Sequence, residues 1–302
     1  MLRDSKPFHF IHLRKIWYLL SGIVIIIAIA SLCVRGLNFG IDFTGGSMLE
    51  IRVNQSASIE QVREVMDGFG LGAATIQRSD ERDFIIRTKE LTEDESKDIL
   101  QAMEEKFDEF SLLRNERVGP IIGQELLKNA LLALLVSAIL MVGYVAWRFE
   151  LKQGIAAVIS LLHDVLIVIG VFSLLQLEVD AKFVAAILII IGYSINDRIV
   201  IFDRIRENML YRKKGEELAD VINNSLWQTM ARSINTGLTV IFVVASLYVL
   251  GGSTLKNMTF ALLIGVIVGI YSSVSNASPL WYDLRRMEGS GSGKSGKGRK
   301  GR

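Results

Sequence analysis

The sequence predicts an α-helical membrane protein of six transmembrane helices, with one exported α+β domain inserted between the first two. Half of the 302 residues are hydrophobic, and they gather in six long blocks rather than spreading evenly. A charged stretch, 37–122, with alternating strand and helix patterns separates the first block from the second. A bilayer core of about 30 Å needs about 20 helical residues, and every block comes close to that length. Buried helices of a soluble protein would have no use for uncharged runs as long as 17–34 and 129–147. Net charge is +2, so no global basic bias points to nucleic acid.

From the N-terminus, residues 1–16 form a cytoplasmic tail and 17–36 the first span. Its apolar core exceeds the roughly 7–15 residues of a signal-peptide h-region. The following "VRGLNFG" offers no small-x-small cleavage site, so the span is read as retained. In the exported segment, "SMLEIRV" (47–53) alternates apolar and polar residues as a half-buried strand does. Ser58 caps a helix with Ile59, Val62, Val65 and Met66 on one face. "AATIQR" and "DFIIRT" flank "SDER" as a hairpin. Thr92 and Glu95 make a capping box for a helix carrying Ile99, Met103 and Phe107, and "FSLLRNERVG" closes as a strand. The order is βαββαβ, the ferredoxin-like arrangement. With no Cys, His or Gly-rich phosphate loop, this domain reads as a binding or lever module rather than an enzyme.

Spans two to six are expected at 123–147, 153–177, 182–204, 231–252 and 257–282. A cytoplasmic connector helix is expected at 205–230, and a basic, flexible cytoplasmic tail at 283–302 whose role would be a weak contact with anionic lipid headgroups. Orientation follows from Lys and Arg. Arg3, Lys6, Arg14 and Lys15 precede span one, Arg148 and Lys152 follow span two, and Arg204, Arg206, Arg212, Lys213 and Lys214 follow span four. The opposite connections "EVDAK" and "GSTLKN" hold one lysine each. Both termini are therefore placed in the cytoplasm. Cys33 is the single cysteine, so no internal disulfide can form.

Inside these spans stand groups that a bilayer penalises. Asp197 lies one to two turns into span four, where a charge costs about 2.5–3.5 kcal/mol on insertion scales. At about 100° per residue, Tyr193, Asn196, Asp197, Val200, Asp203, Arg204 and Glu207 share one broad face. His163 and Asp164 lie in span three, and Arg232, Ser233, Asn235 and Thr236 open span five. Brought together, they would supply a carboxylate, a counter-charge and a relay, the composition of an ion or proton pathway. The other reading is a fixed Asp–Arg pair that only locks helices. Arg198 is expected to snorkel to the surface or to pair with Asp203 or Glu207. Catalytic patterns are missing: "GYSIND" is not the "GxGD" of intramembrane aspartyl proteases, Ser194 lacks a "GxSxG" setting, and no "HExxH" occurs.

"GIDFTGGS" (40–47), where Gly40, Asp42, Phe43, Thr44, Gly45 and Gly46 form the junction between span one and the exported domain, reads alone as a tight turn. Asp42 or Thr44 would bond nearby amides there. Taken with "GYSINDRIVIFDRIREN" (192–208), it resembles the SecF family, the small subunits of the SecD–SecF accessory complex of bacterial protein export. The resemblance covers roughly residues 12–287 and departs at Arg198, where the family usually has a small hydroxyl residue. It implies no cofactor or metal and a bacterial inner-membrane location. It also implies SecD as obligate partner in a pseudo-symmetric twelve-span bundle, contact with the SecYEG channel, and YajC or YidC as further candidate partners. Exported, unfolded polypeptide would be the cargo and the proton motive force the drive, with protonation of Asp197 releasing Arg232. The alternatives are a proton-coupled exporter subunit of the resistance–nodulation–division type, or a scaffold that moves no ion.

Overall fold

The computed structural model describes residues 8–53, 57–79, 81–107 and 110–292; the end of the expected basic tail, 293–302, lies outside them, as do Arg3 and Lys6. The chain runs α1 (Arg14–Arg35), β1 (Asn38–Phe39), a single turn α2 (Ile41–Thr44), β2 (Gly46–Val53), α3 (Ile59–Gly68), β3 (Thr75–Arg78), β4 (Asp83–Thr88), α4 (Glu93–Lys106) and β5 (Phe110–Val118). Then follow α5 (Pro120–Arg148), α6 (Leu151–Leu175), β6 (Glu178–Val179), α7 (Ala181–Leu210), α8 (Leu218–Leu250), α9 (Ser253–Ser272), a π-helical turn (Ser273–Ala277) and α10 (Ser278–Ser292). Six helices are long and apolar enough to cross a membrane: α1, α5, α6, α7, α8, and α9 continued through the π turn to Met287. The chain divides into an α-helical unit (1–38, 134–177 and 182–302) and an α+β unit (39–133 and 178–181).

In the α+β unit the four-stranded sheet has the order β3-β4-β2-β5, with every neighbouring pair antiparallel. Its core joins Leu49, Ile51 and Val53 of β2 to Val62 and Met66 of α3, Phe84 and Ile86 of β4, and Ile99 and Met103 of α4. Both helices start at capping boxes, Ser58 with Gln61 and Thr92 with Glu95. Each box satisfies amide donors that a helix start otherwise leaves unpaired. Hydrogen bonds from the Thr92 amide and hydroxyl hold the Glu95 carboxyl below its ordinary value. One expectation needs correction. β2 is not half-buried: all its residues except Arg52 are buried, Glu50 included. It is an interior strand, with β4 and β5 screening it on both sides.

The α-helical unit depends on close approach between helices. An added Cβ at Gly170 of α6 would stand 2.2 Å from the Cβ of Ala28 in α1. Nearby, the hydroxyls of Ser31 and Ser173 meet at 2.9 Å. Small residues at crossings let backbones approach where lipid supplies no hydrophobic drive between helices. At one end, Ile11, Val145, Phe149, Phe202, Ile205, Ile222, Leu226 and Trp281 form a buried cluster. The same end is tied by Arg14–Asp283 at 3.0 Å, Arg148–Asp203 at 2.8 Å and Arg285–Glu150 at 3.4 Å. No separate connector helix occupies 205–230. α7 continues to Leu210, and α8 begins at Leu218 and runs unbroken into the fifth span. Nothing in 218–230 breaks a helix: it lacks Gly and Pro. The expected tail is likewise helical as far as Ser292.

Candidate functional site

Among the described residues, Asp164 and Asp197 are carboxylates set within helices long and apolar enough to cross a membrane, and their surroundings differ. Asp164 on α6 and Arg198 on α7 are both wholly buried, with an Arg198 Nη2 to Asp164 Oδ2 distance of 2.5 Å. Ser194, one turn before Arg198 on α7, donates to Asp164 Oδ2 at 2.5 Å and accepts from Arg198 Nη1 at 2.7 Å. Arg198 Nη2 also donates to Ser160 Oγ at 3.1 Å and to Ser272 Oγ at 2.8 Å. Room for this cluster comes from Gly269 of α9, where an added Cβ would lie 2.9 Å from Ser194 Oγ. The other carboxylate oxygen, Oδ1, lies 3.0 Å from His163 Nδ1. The Asn276 amide stands 3.1 Å from His163 Nε2, and Asn276 Oδ1 takes the Ser21 hydroxyl at 3.1 Å. An amide that donates to Nε2 leaves the imidazole proton on Nδ1, where it donates to Asp164. The π turn orients Asn276 inward. Pro279, just after it, has no amide to give the Ser275 carbonyl, so the regular helical pattern cannot continue through it.

Asp197 is placed differently. It is half-buried on α7; Oδ1 accepts from Ser233 of α8 at 2.5 Å, and Oδ2 is buried with no partner. Arg232 is exposed, and among the described residues no ion pair joins it to Asp197. Asn196, Asn235 and Thr236 are exposed too. The structure therefore separates residues that the sequence reading gathered around Asp197. Asp164 and His163 belong to the Arg198 cluster, Asp197 belongs with Ser233, and Arg232 and Asn196 stand free of both. The expectations for Arg198 are also corrected. It neither snorkels nor pairs with Asp203 or Glu207, whose partners are Arg148 and Arg204. A guanidinium one turn from Ser194 and level with Asp164 finds charge and hydroxyls inside the bundle, so it has no reason to reach for water. The sequence reading did not single out Ser160, Ser194, Ser272 or Asn276 as site residues. The four-residue steps Ser160–Asp164 and Ser194–Arg198 were the available signal.

The junction motif lies in the α+β unit. Ile41–Thr44 form one helical turn; the Thr44 hydroxyl bonds the Gly40 carbonyl at 3.1 Å, and the Gly40 amide donates to the Val179 carbonyl at 3.0 Å. Phe43 is buried. Asp42 bonds no local amide but accepts from Ala181, the first residue of α7, at 3.0 Å. Gly45 and Gly46 have φ of 72° and 123°. An added Cβ would lie 2.9 Å from the Pro120 Cα at Gly45 and 2.4 Å from the Thr88 carbonyl oxygen at Gly46. Both glycines are required twice, by conformation and by space.

Residues 97–287 match the family described as protein export membrane protein SecD/SecF, C-terminal, and residues 30–57 match the SecD/SecF GG motif. A protein translocase subunit SecF from Desulfurispirillum indicum is 41% identical over 282 residues, covering 90% of each chain. A protein translocase subunit SecDF from Bacillus subtilis is 40% identical across 91% of this chain and 38% of its own length. The crystal structure of SecDF from Thermus thermophilus, a translocon-associated membrane protein, superposes with a TM-score of 0.88 at 33% identity. It covers 95% of this chain, which spans 40% of that one.

Proposed function

The chain belongs to the SecD/SecF family of protein-export membrane proteins, and from that premise we propose that it is a proton-driven accessory subunit that promotes polypeptide export. In this reading it works in a bacterial inner membrane with both termini in the cytoplasm. Its α+β unit is then an exported, ferredoxin-like domain, and SecD supplies the other half of the bundle. The pair acts beside the SecYEG channel, as a moving part rather than as an enzyme. The relatives named SecDF support the partnership, because this chain matches under half of their length. So do Asn196, Arg232 and Asn235, polar residues exposed on membrane-spanning helices, which need protein or water against them rather than lipid.

The observation that carries the proton reading is the contrast between the two carboxylates. Protonating Asp164 would strand the buried Arg198 guanidinium, and breaking such a pair costs about 3–5 kcal/mol. One proton crossing 100 mV supplies about 2.3 kcal/mol. Asp197 has one hydroxyl bond and an unpartnered oxygen; weakening one charged hydrogen bond costs about 1.5–3 kcal/mol at most. The proton therefore goes to Asp197. A route through His163 is disfavoured as well, because Asn276 occupies its Nε2 and an amide does not readily pass a proton on. The test is reconstitution with SecYEG, the export motor and the chain's own SecD in inverted vesicles. A proton gradient should stimulate export only when both subunits are present. Undiminished stimulation without SecD would point to a self-sufficient transporter of the resistance–nodulation–division type, and no stimulation with both to a scaffold.

A further inference from the structure

We propose that the Arg198 guanidinium is a resident cation in an oxygen cage that would otherwise bind a sodium ion, and that it closes this cage to cations from solution. The inference goes beyond the export reading, since it concerns the carboxylate that does not carry the transported proton.

The cage consists of Asp164 Oδ2 and the hydroxyl oxygens of Ser160, Ser194 and Ser272. They lie 2.5–3.1 Å from the two terminal nitrogens of Arg198. Each hydroxyl sends its own proton elsewhere: Ser160 to the Ser272 carbonyl at 3.3 Å, Ser194 to Asp164 at 2.5 Å and Ser272 to the Gly269 carbonyl at 3.2 Å. Their lone pairs are thereby turned to the centre. Hard oxygen donors grouped around one negative charge are what an alkali or alkaline-earth cation requires. Asp164 is the one carboxylate among the cage oxygens, and the Asn276 amide lies against His163 Nε2. The cage thus balances one positive charge; a divalent ion would leave an excess charge buried, at heavy cost.

Two further features fit a cage built around a charge rather than around a guanidinium. Arg198 Nε is buried without a partner, so the fork is not matched as a bidentate arginine site would match it. A largely apolar groove of about 390 Å³, which Ser160, His163 and Asn276 also line, reaches the cage at Ser160. The three helices that carry the ligands, α6, α7 and α9, meet here, so an occupied cage also holds them together.

The experiment compares the purified full-length chain, Arg198→Thr, and the double variant Asp164→Asn, Arg198→Thr. Thermal unfolding is measured in sodium chloride against choline chloride at equal ionic strength, with radioactive sodium binding at equilibrium. Arg198→Thr should bind about one sodium ion per chain and show a saturable, sodium-specific rise in Tm by mass action. The unaltered chain and the double variant should show neither. Absence of the rise in Arg198→Thr overturns the proposal, as does an equal rise in either of the other two. If Arg198→Thr fails to accumulate even in high sodium while the double variant folds, the cage cannot hold a free cation and the proposal fails. Failure of both variants overturns it too, because a cage held by charge balance should close when neutral.

Discussion

Gly46→Ala is the substitution for which the structure sets the most definite cost. Gly46 joins the single-turn α2 to β2 with φ 123°, and an added methyl would stand 2.4 Å from the Thr88 carbonyl oxygen. That oxygen belongs to the paired strand, with Ser47 opposite Thr88 in the register, so it cannot swing aside as a side chain would. A backbone region open essentially to glycine alone costs about 1–3 kcal/mol, and overpacking adds about 1–3 kcal/mol. The total centres on about 4 kcal/mol. Gly70 provides the control: its φ of 71° is also positive, in the milder left-handed helical region, and a methyl there meets nothing within 4 Å. Gly70→Ala should therefore cost only the backbone share, about 1–2 kcal/mol. In thermal unfolding of the full-length protein in detergent, Gly46→Ala should lower the melting of the α+β unit by about 15 °C or more, and Gly70→Ala by about half as much or less. Protease cleavage within β2 should rise in parallel for Gly46→Ala alone. Equal melting temperatures for the two variants would show that the Thr88 contact costs nothing.

Asp164→Asn should destabilise the helical unit by about 3–5 kcal/mol, since it strands the Arg198 charge, whereas Asp164→Asn combined with Arg198→Gln should recover most of the loss; chemical denaturation in detergent measures both. Thr92→Ala should cost about 1 kcal/mol by removing the cap of α4, and hydrogen exchange at its first turn should quicken. The carboxyl of Glu95 is held below its ordinary value of 4.5 by the Thr92 amide and hydroxyl. A depressed carboxylate stabilises above its unfolded value and stops doing so as pH falls through the folded one. Protection of that first turn should therefore be full at pH 7 and decline below about pH 4.5, with no such decline in Glu95→Gln. For topology, with Cys33 replaced, Ser79→Cys should react with an impermeant thiol reagent outside intact cells. Ser292→Cys should react only after lysis.

The sequence pattern was most legible where a signal is local. The N-cap at Ser58, the capping box at Thr92, the hairpin of AATIQR and DFIIRT and the six apolar blocks are each settled within a few residues of chain, and all stand in the structure. The inward face of α7 was not legible, for a physical reason. A helix in lipid is apolar on every side, so hydrophobic periodicity cannot show which side faces protein. Asp197 and Arg198 are adjacent and about 100° apart, and the sequence reading turned the aspartate side inward. The bundle instead buries Ile187, Ile190, Ile191, Ser194, Ile195, Arg198, Ile201, Phe202 and Ile205. The partner of Asp42 escaped notice for a different reason. Ala181 lies 139 residues along the chain, and no local rule reaches that far. Gly45 and Gly46 could be read as a turn, but the carbonyl and the proline that press on them come from β4 and the start of α5.

Asp197 is the carboxylate proposed to take the proton. Asn is nearly the same size and can still accept the Ser233 hydroxyl, so Asp197→Asn should fold and assemble with SecD almost unchanged while holding the site neutral. The decisive measurement is export of a precursor into inverted vesicles, with and without a proton gradient, at saturating ATP. Asp197→Asn should reduce gradient-stimulated export to the level of vesicles lacking the complex, with motor-driven export intact. Full gradient-dependent stimulation in Asp197→Asn would contradict that role.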